Sequence, residues 1–237
     1  MSMKSQSDEK STLAVTLDGR RVAARPGETI LSLARRCGLS IPTLCDHPAL
    51  EPVGACRLCL VEVVRGERRK IVTACNHPVS AGLEVVTTSP ALERSRRMTL
   101  EALLARCPGV APIRELAAAM GVTRSRLPAG DDDCILCGLC TRVCQTYATS
   151  AITTLGRGRE KRIGFFGDEA PAECVGCLAC AEICPTGCIG WEREGEELRI
   201  WHRTFPVAVC RVEEEKCRGC GLCEQACPFA VARIGLR

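Results

Sequence analysis

The sequence predicts an α+β protein in three parts: a small mixed sheet with a packed helix at the front, a short helical connector, and a cysteine-rich repeat region behind. Three observations predict it. Turn-punctuated apolar runs fill residues 13–86, a helical period runs from 89 to 120, and a cysteine-rich run begins at Cys134, Cys174 and Cys217, about 40 residues apart. The chain spends 20 of its 237 residues on cysteine, against 3% aromatics and three histidines, so ligation of metal by thiolate is the expected chemistry.

Taken in order, residues 1–11 read as a polar tail without periodicity. No apolar h-region follows Met1 to Ser11, so the expected location is the cytoplasm, where disulfides do not normally persist. Leu13 to Ala24 reads as a hairpin turning at Asp18-Gly19, the pair that tolerates the positive φ angles of a two-residue turn. A helix follows over about Glu28 to Cys37, with Ile30, Leu31 and Ala34 on one face, Cys37 in the core and Gly38 at its end. Leu60–Val64, Ile71–Ala74 and Leu83–Val86 are strand candidates. Hairpin, packed helix and further strands make a β-grasp domain over 12–88. At Ser89 the pattern changes: Ser caps, Pro90 takes the first turn, and Leu92, Met98, Leu100, Leu103 and Leu104 recur at helical spacing until Pro108-Gly109. A second helix, Ile113 to Met120, ends at Gly121, and Thr123 to Asp133 reads as a linker. The connector is thus 89–130, followed by a repeat unit over 131–192 and a third over 193–237. No stretch approaches the roughly 18 consecutive apolar residues of a membrane span.

The formal charge of +4 counts every thiol as neutral. A cluster of iron and sulfide held by four thiolates carries about −2, so four of them bring the chain to about −4. The apparent basicity is no evidence for nucleic-acid binding.

Cys45, then Cys56 and Cys59 in Gly54-Ala55-Cys56-Arg57-Leu58-Cys59, then Cys75, place three ligands on one irregular loop and a fourth after a later strand. That is the arrangement of plant-type [2Fe–2S] sites, with a wider first gap; Cys56-x2-Cys59 by itself would also suit structural zinc. Cys134-x2-Cys137-x2-Cys140-x3-Cys144 and Cys174-x2-Cys177-x2-Cys180-x3-Cys184-Pro185 have the bacterial ferredoxin spacing, in which the fourth cysteine serves the other cubane. The expected [4Fe–4S] sets are therefore crosswise: Cys134, Cys137, Cys140 with Cys184, and Cys174, Cys177, Cys180 with Cys144. Gly138 and Gly176 fit a backbone that must approach sulfide. The third run, Cys217, Cys220, Cys223 and Cys227, has no partner run, so its last ligand is Cys227 first, then Cys210, then Cys188. The position of Cys188 in its repeat also suits packing.

Pro42-Thr43-Leu44-Cys45-Asp46-His47-Pro48, Gly54 to Val63 and Thr73-Ala74-Cys75 resemble the N-terminal [2Fe–2S] domain of the complex I large iron–sulfur subunit. The same domain occurs in the diaphorase subunit of NAD-reducing hydrogenases and at the front of [FeFe]-hydrogenases. The resemblance extends through the paired runs to Gly187, covering about residues 12–190. It implies a plant-type [2Fe–2S] ferredoxin β-grasp domain, a helical connector and bacterial ferredoxin-like [4Fe–4S] domains. By it Cys45, Cys56, Cys59 and Cys75 are the [2Fe–2S] ligands, and His47 and His77 pack or support them. The family's further cubane, held by one histidine and three cysteines, should be absent: the corresponding stretch, Leu104 to Gly109, holds only Cys107, which reads as a buried packing residue.

No dinucleotide fingerprint or P-loop is visible, and His202 beside Trp201 reads as structural. The expectation is a non-catalytic electron-transfer subunit with one [2Fe–2S] and three [4Fe–4S] clusters. It would relay single electrons between a flavin or NAD(P)H-handling subunit and a catalytic subunit such as a hydrogenase, formate dehydrogenase or related anaerobic reductase. The nearer alternative is an iron–sulfur subunit of the succinate dehydrogenase or fumarate reductase type. The wide Cys45 to Cys56 gap and three full runs argue against it. A zinc-stabilised nucleic-acid-binding module is the distant alternative.

Overall fold

The computed structural model describes residues 12–207 except residue 168. The tail at 1–11, Cys210 and the run Cys217, Cys220, Cys223 and Cys227 lie outside the described residues. The described residues divide into two units, 12–46 with 52–131, and 47–51 with 132–207.

In the first unit, β1 (Leu13–Leu17) and β2 (Arg20–Ala24) form the hairpin, with Asp18 and Gly19 at φ 48° and 79°. The Asp18 carboxylate also accepts from Thr87 N at 2.7 Å and Thr87 Oγ1 at 2.6 Å, fixing the end of the last strand. Helix α1 (Ile30–Arg36) is capped by Thr29 and buries Ile30, Leu31, Leu33 and Ala34. Strands β3 (Leu60–Arg65), β4 (Arg68–Thr73) and β5 (Glu84–Val86) complete a five-stranded sheet of order β2-β1-β5-β3-β4. β1 and β5 pair in parallel and the other pairs are antiparallel. Val15, Leu17, Val61, Val63 and Val85 meet the apolar face of α1 in one core. Cys37, expected in that core, is instead exposed: it is the C-cap of α1, one residue past the helix, where the buried stripe has turned away.

Interior strand β3 is buried on both faces over Leu60 to Val63, where α2 (Pro90–Arg106) packs against it. The stretch expected as a connector therefore belongs to the first unit, together with α3 (Ala111–Ala119). The buried stripe of α2 is Leu92, Arg96, Leu100, at steps of four; Met98 lies off it and is 65% exposed. The expected linker folds back along α2, where Arg126 forks onto Glu101 (2.8 Å twice) and Gly130 N donates to Ala105 O at 2.7 Å.

Ser89 joins helix to sheet. Its Oγ accepts from Leu92 N (3.3 Å) as the N-cap and donates to buried Glu62 on β3 (2.5 Å), which Arg69 also holds at 2.9 Å. Ser89 and Arg69 keep the Glu62 carboxyl below the usual carboxylate range. Ser89→Ala is expected to destabilise the cluster-free chain by about 1–2 kcal/mol, read by denaturant unfolding at pH 7. A depressed folded pKa contributes stability above the unfolded value, roughly 4.3, and loses it as pH falls through the folded value. The penalty of Ser89→Ala should accordingly shrink at the acid end.

The second unit holds α4 (Leu139–Tyr147), α5 (Ala179–Glu182), the hairpin β6 (Thr153–Leu155) and β7 (Arg162–Gly164), and a three-stranded sheet. That sheet is β8 (Trp191–Glu194), β9 (Glu197–Ile200) and β10 (Arg203–Pro206), all antiparallel. Arg142 and Tyr147 of α4 donate to the carbonyls of Glu51 (2.6 Å) and Ala49 (2.8 Å). β9 and β10 join through Trp201-His202, both with positive φ, 54° and 59°. A tight hairpin turn needs that conformation and usually takes Asn-Gly; for a side-chain-bearing residue it costs about 1–2 kcal/mol. No helix among the described residues is long and apolar enough to cross a membrane.

Candidate metal centres

The first thiol group forms where the sheet ends. Cys59 immediately precedes β3 and Cys75 follows β4, and Ala74 N donates to Cys59 O at 2.7 Å, so strand pairing brings them side by side. The irregular loop before β3 brings the other two: Cys56 N donates to Cys45 Sγ at 3.3 Å, and Leu44 N to Cys56 Sγ at 3.5 Å. All four thiols are buried. They pair as Cys45 with Cys56 and Cys59 with Cys75, one of each pair favoured as thiolate. The hydrogen bond from Cys45 and the N–H groups of Leu44 and Leu58 lower Cys56 to about 5, while Cys75 and the N–H groups of Cys75 and Ala74 lower Cys59 to about 7. Cys45 and Cys75, which supply the shared protons, are pushed up.

Two buried side-chain polar atoms have no hydrogen-bond partner among the described residues: Thr43 Oγ1 and Arg96 Nε. Both residues flank this site. Thr43 is two residues before Cys45, and Arg96 donates through Nη2 to Leu60 O (2.5 Å), the residue after Cys59, and to Thr87 O (3.0 Å). Burial pulls the Arg96 pKa down, and the charge of Cys59, then Glu93, works against it. Unsatisfied donors and a buried cation beside four thiols fit an anionic [2Fe–2S] group. His47 turns its Nδ1 to Ala49 N (3.2 Å) and His77 its Nδ1 to Pro78 O (2.9 Å).

In the second unit the two cysteine runs adopt the same loop. Leu136 and Gly138 in one, Gly176 and Leu178 in the other, have positive φ at matching positions, and a helix follows each. Alternating left- and right-handed residues turn successive N–H groups inward, a concavity suited to anions. Leu136 N reaches Cys134 Sγ at 3.4 Å, and the Leu139 N–H also bonds the Cys137 thiol. The reason for glycine at 176 is partly steric, because a Cβ there would lie 2.5 Å from the Phe205 ring of β10.

Cys140 and Cys144 lie one turn apart on α4, and this step of about 5–6 Å sends them to different neighbours. Cys144 lines a small cavity with Cys174, Cys177 and Cys180, so thiols of both runs face the same space. Burial, with the charges of Cys177, Cys144 and Cys174, pushes Cys180 up to about 11, while the Trp201 N–H pulls it back. Cys134, Cys137 and Cys184 act on Cys140: burial dominates there, pushing it up to about 12, with the charges of Cys137, Cys134 and Cys184, then Cys180, adding to it. Among the described residues no three His, Cys, Asp or Glu side chains are arranged to hold a single metal ion.

Cys188, expected to pack or to serve the third run, sits at this last group: its Sγ is 3.5 Å from Cys184 Sγ and it also bonds the Cys134 thiol. Cys184 is lowered to about 4 by that contact and by Thr186. Cys107 is fully buried at the end of α2. His202 is exposed in its turn.

Thiol groups on two ferredoxin-type loops and one sheet-edge loop define an iron–sulfur protein, and comparison with known proteins agrees. Residues 10–90 match a 2Fe-2S iron-sulfur cluster binding domain; residues 129–191 and 173–231 each match a 4Fe-4S dicluster domain. The second dicluster match takes in both the Cys174 and the Cys217 runs. A chain in the crystal structure of an NAD+-reducing [NiFe]-hydrogenase in the H2-reduced state is 30% identical, with TM-score 0.66 over 79% of this chain and 87% of that one. The alpha subunit of the NADPH-Fe(3+) oxidoreductase of Geobacter sulfurreducens is 30% identical over 84% of this chain. A subunit of the NADH-quinone oxidoreductase of Mycobacterium bovis is 31% identical over 88%. The chain spans only 26% and 29% of those two relatives. It belongs to the family of iron–sulfur subunits, a [2Fe–2S] ferredoxin domain followed by [4Fe–4S] dicluster domains, shared by NADH and NADPH oxidoreductases and NAD-reducing hydrogenase.

Proposed function

We propose that the chain is a non-catalytic relay that passes single electrons between a flavin or NAD(P)H-handling subunit and a catalytic subunit, in the cytoplasm. Bound iron–sulfur clusters supply the one-electron couples. Cys45, Cys56, Cys59 and Cys75 hold a [2Fe–2S] cluster. Cys134, Cys137, Cys140 and Cys184 hold one [4Fe–4S] cluster; Cys174, Cys177, Cys180 and Cys144 hold a second; Cys217, Cys220, Cys223 and Cys227 hold a third. The observation that carries this reading is the shared cavity of Cys144 with Cys174, Cys177 and Cys180, because thiols from both runs meet there as the crosswise spacing requires. The chain's own residues do three things: thiolates bind iron, inward N–H groups offset their charge, and burial keeps water from the four sulfurs of the sheet-edge site. In the test, the anaerobically purified chain bleaches with dithionite and recovers with an oxidant, yet oxidises no NADH until a flavin subunit is added. NADH oxidation by the chain with no added subunit would contradict the relay.

A further inference from the structure

We propose that Trp201 is a potential-setting residue for the site of Cys144, Cys174, Cys177 and Cys180, donating its indole N–H to the Cys180 sulfur from a strained turn that holds it there. The inference rests on the reading of those four cysteines as ligands of one [4Fe–4S] cluster. Trp201 Nε1 lies 3.4 Å from Cys180 Sγ, and Trp201 also lines the cavity the four thiols share. An indole N–H can only donate, so the sulfur is the acceptor and the direction of the bond is fixed.

The ring is held from several sides. Phe165 meets it edge to face, with centroids 5.1 Å apart and planes at 84°. The Trp201 carbonyl accepts from Ala170 N at 3.3 Å. Next along β10, Arg203 donates to Pro171 O at 2.7 Å and its guanidinium lies 5.0 Å from the Phe205 ring centre, while Phe205 presses on the bare face of Gly176. The hairpin is thus tied to both ends of the loop 170–177 that carries Cys174 and Cys177. Two consecutive left-handed residues without glycine are unfavourable, and strain of this kind persists where the surrounding structure over-determines it, often at functional sites. Here the turn delivers one N–H to one thiolate.

The chemistry follows from charge. One electron enters from a partner cofactor or a mediator; no bond breaks and the indole keeps its proton. The negative charge spread over the four thiolates and the cluster grows from about −2 to about −3. Trp201 N–H bonds the more negative sulfur more strongly and so favours the reduced form.

The test is Trp201→Phe, which keeps an aromatic ring and removes the donor, in an EPR-monitored redox titration of the full chain. The signal to follow is the one that Cys144→Ala abolishes. With iron content unchanged, its reduced-to-oxidised ratio at fixed potential should fall several-fold, where tenfold corresponds to 59 mV for one electron. The other signals should not move. An unchanged ratio in Trp201→Phe overturns the inference while leaving the ligand reading intact. If Cys144→Ala and Cys174→Ala abolish no common signal, the ligand reading itself fails. Should Trp201→Phe lose iron, the unmodified protein carrying 15N-labelled indole decides: ENDOR of the reduced sample should show one coupled indole nitrogen, and none overturns the inference.

Discussion

Cys144→Ala should remove the cluster of the Cys174 run and spare that of its own run. Cys144→Ala and Cys174→Ala should abolish the same EPR signal, Cys184→Ala and Cys134→Ala a different one, each with a loss of about 4 irons per chain. The physical reason is the pitch of α4. Cys140 and Cys144 share its face but stand one turn apart, and the cavity that receives Cys144 is otherwise lined by the second run's thiols. If Cys144→Ala and Cys134→Ala abolished one and the same signal, each run would ligate its own cubane and the crosswise assignment would be wrong. Cys188 gives the other set a fifth thiol, so Cys184→Ala is best measured also in the Cys184→Ala, Cys188→Ala double variant, where no substitute sulfur remains.

Arg96→Met should lower the midpoint potential of the [2Fe–2S] site by an amount of order 100 mV, with Arg96→Lys recovering most of it. Arg96 is 6% exposed and forms no ion pair among the described residues; the largest favourable charge acting on it is that of Cys59, followed by Glu93. A buried unpaired cation is costly unless a counter-charge completes it, and four thiolates on iron carry that charge. A unit charge some 5–10 Å away at an effective dielectric of about 20 is worth roughly 2–3 kcal/mol. Reduction makes the site more negative, so Arg96 favours the reduced form. The variant should also unfold more easily, by about 2–4 kcal/mol, because the carbonyls of Leu60 and Thr87 each lose a donor. A purely structural Arg96 would show the stability loss with no change in potential.

Much of this was legible in the sequence where the signal is local. Asp18-Gly19 can hardly avoid a tight turn, and Ser89-Pro90 marks a helix start by capping chemistry that the structure repeats bond for bond. The cysteine spacings point to the sets because ligand order along a loop is itself a sequence pattern. What was not legible depends on contacts across many residues. Arg96 looks like a solvated helix residue, and only the packing of α2 on β3 places it at a step of four between Leu92 and Leu100 while Met98 turns outward. Trp201 lies 21 residues after Cys180, and nothing in either segment announces their bond. Cys37 misled for the opposite reason: the helix stops one residue before it, so a thiol that fits the helical period falls outside the buried face.

Iron, sulfide and zinc content of the anaerobically purified chain, with EPR of the dithionite-reduced sample, tests the central claim most directly. The account predicts about 14 irons per chain, no stoichiometric zinc, and a [2Fe–2S] signal beside interacting [4Fe–4S] signals. About 10 irons would remove the third cubane and keep the relay. Zinc with little iron would contradict the account as a whole.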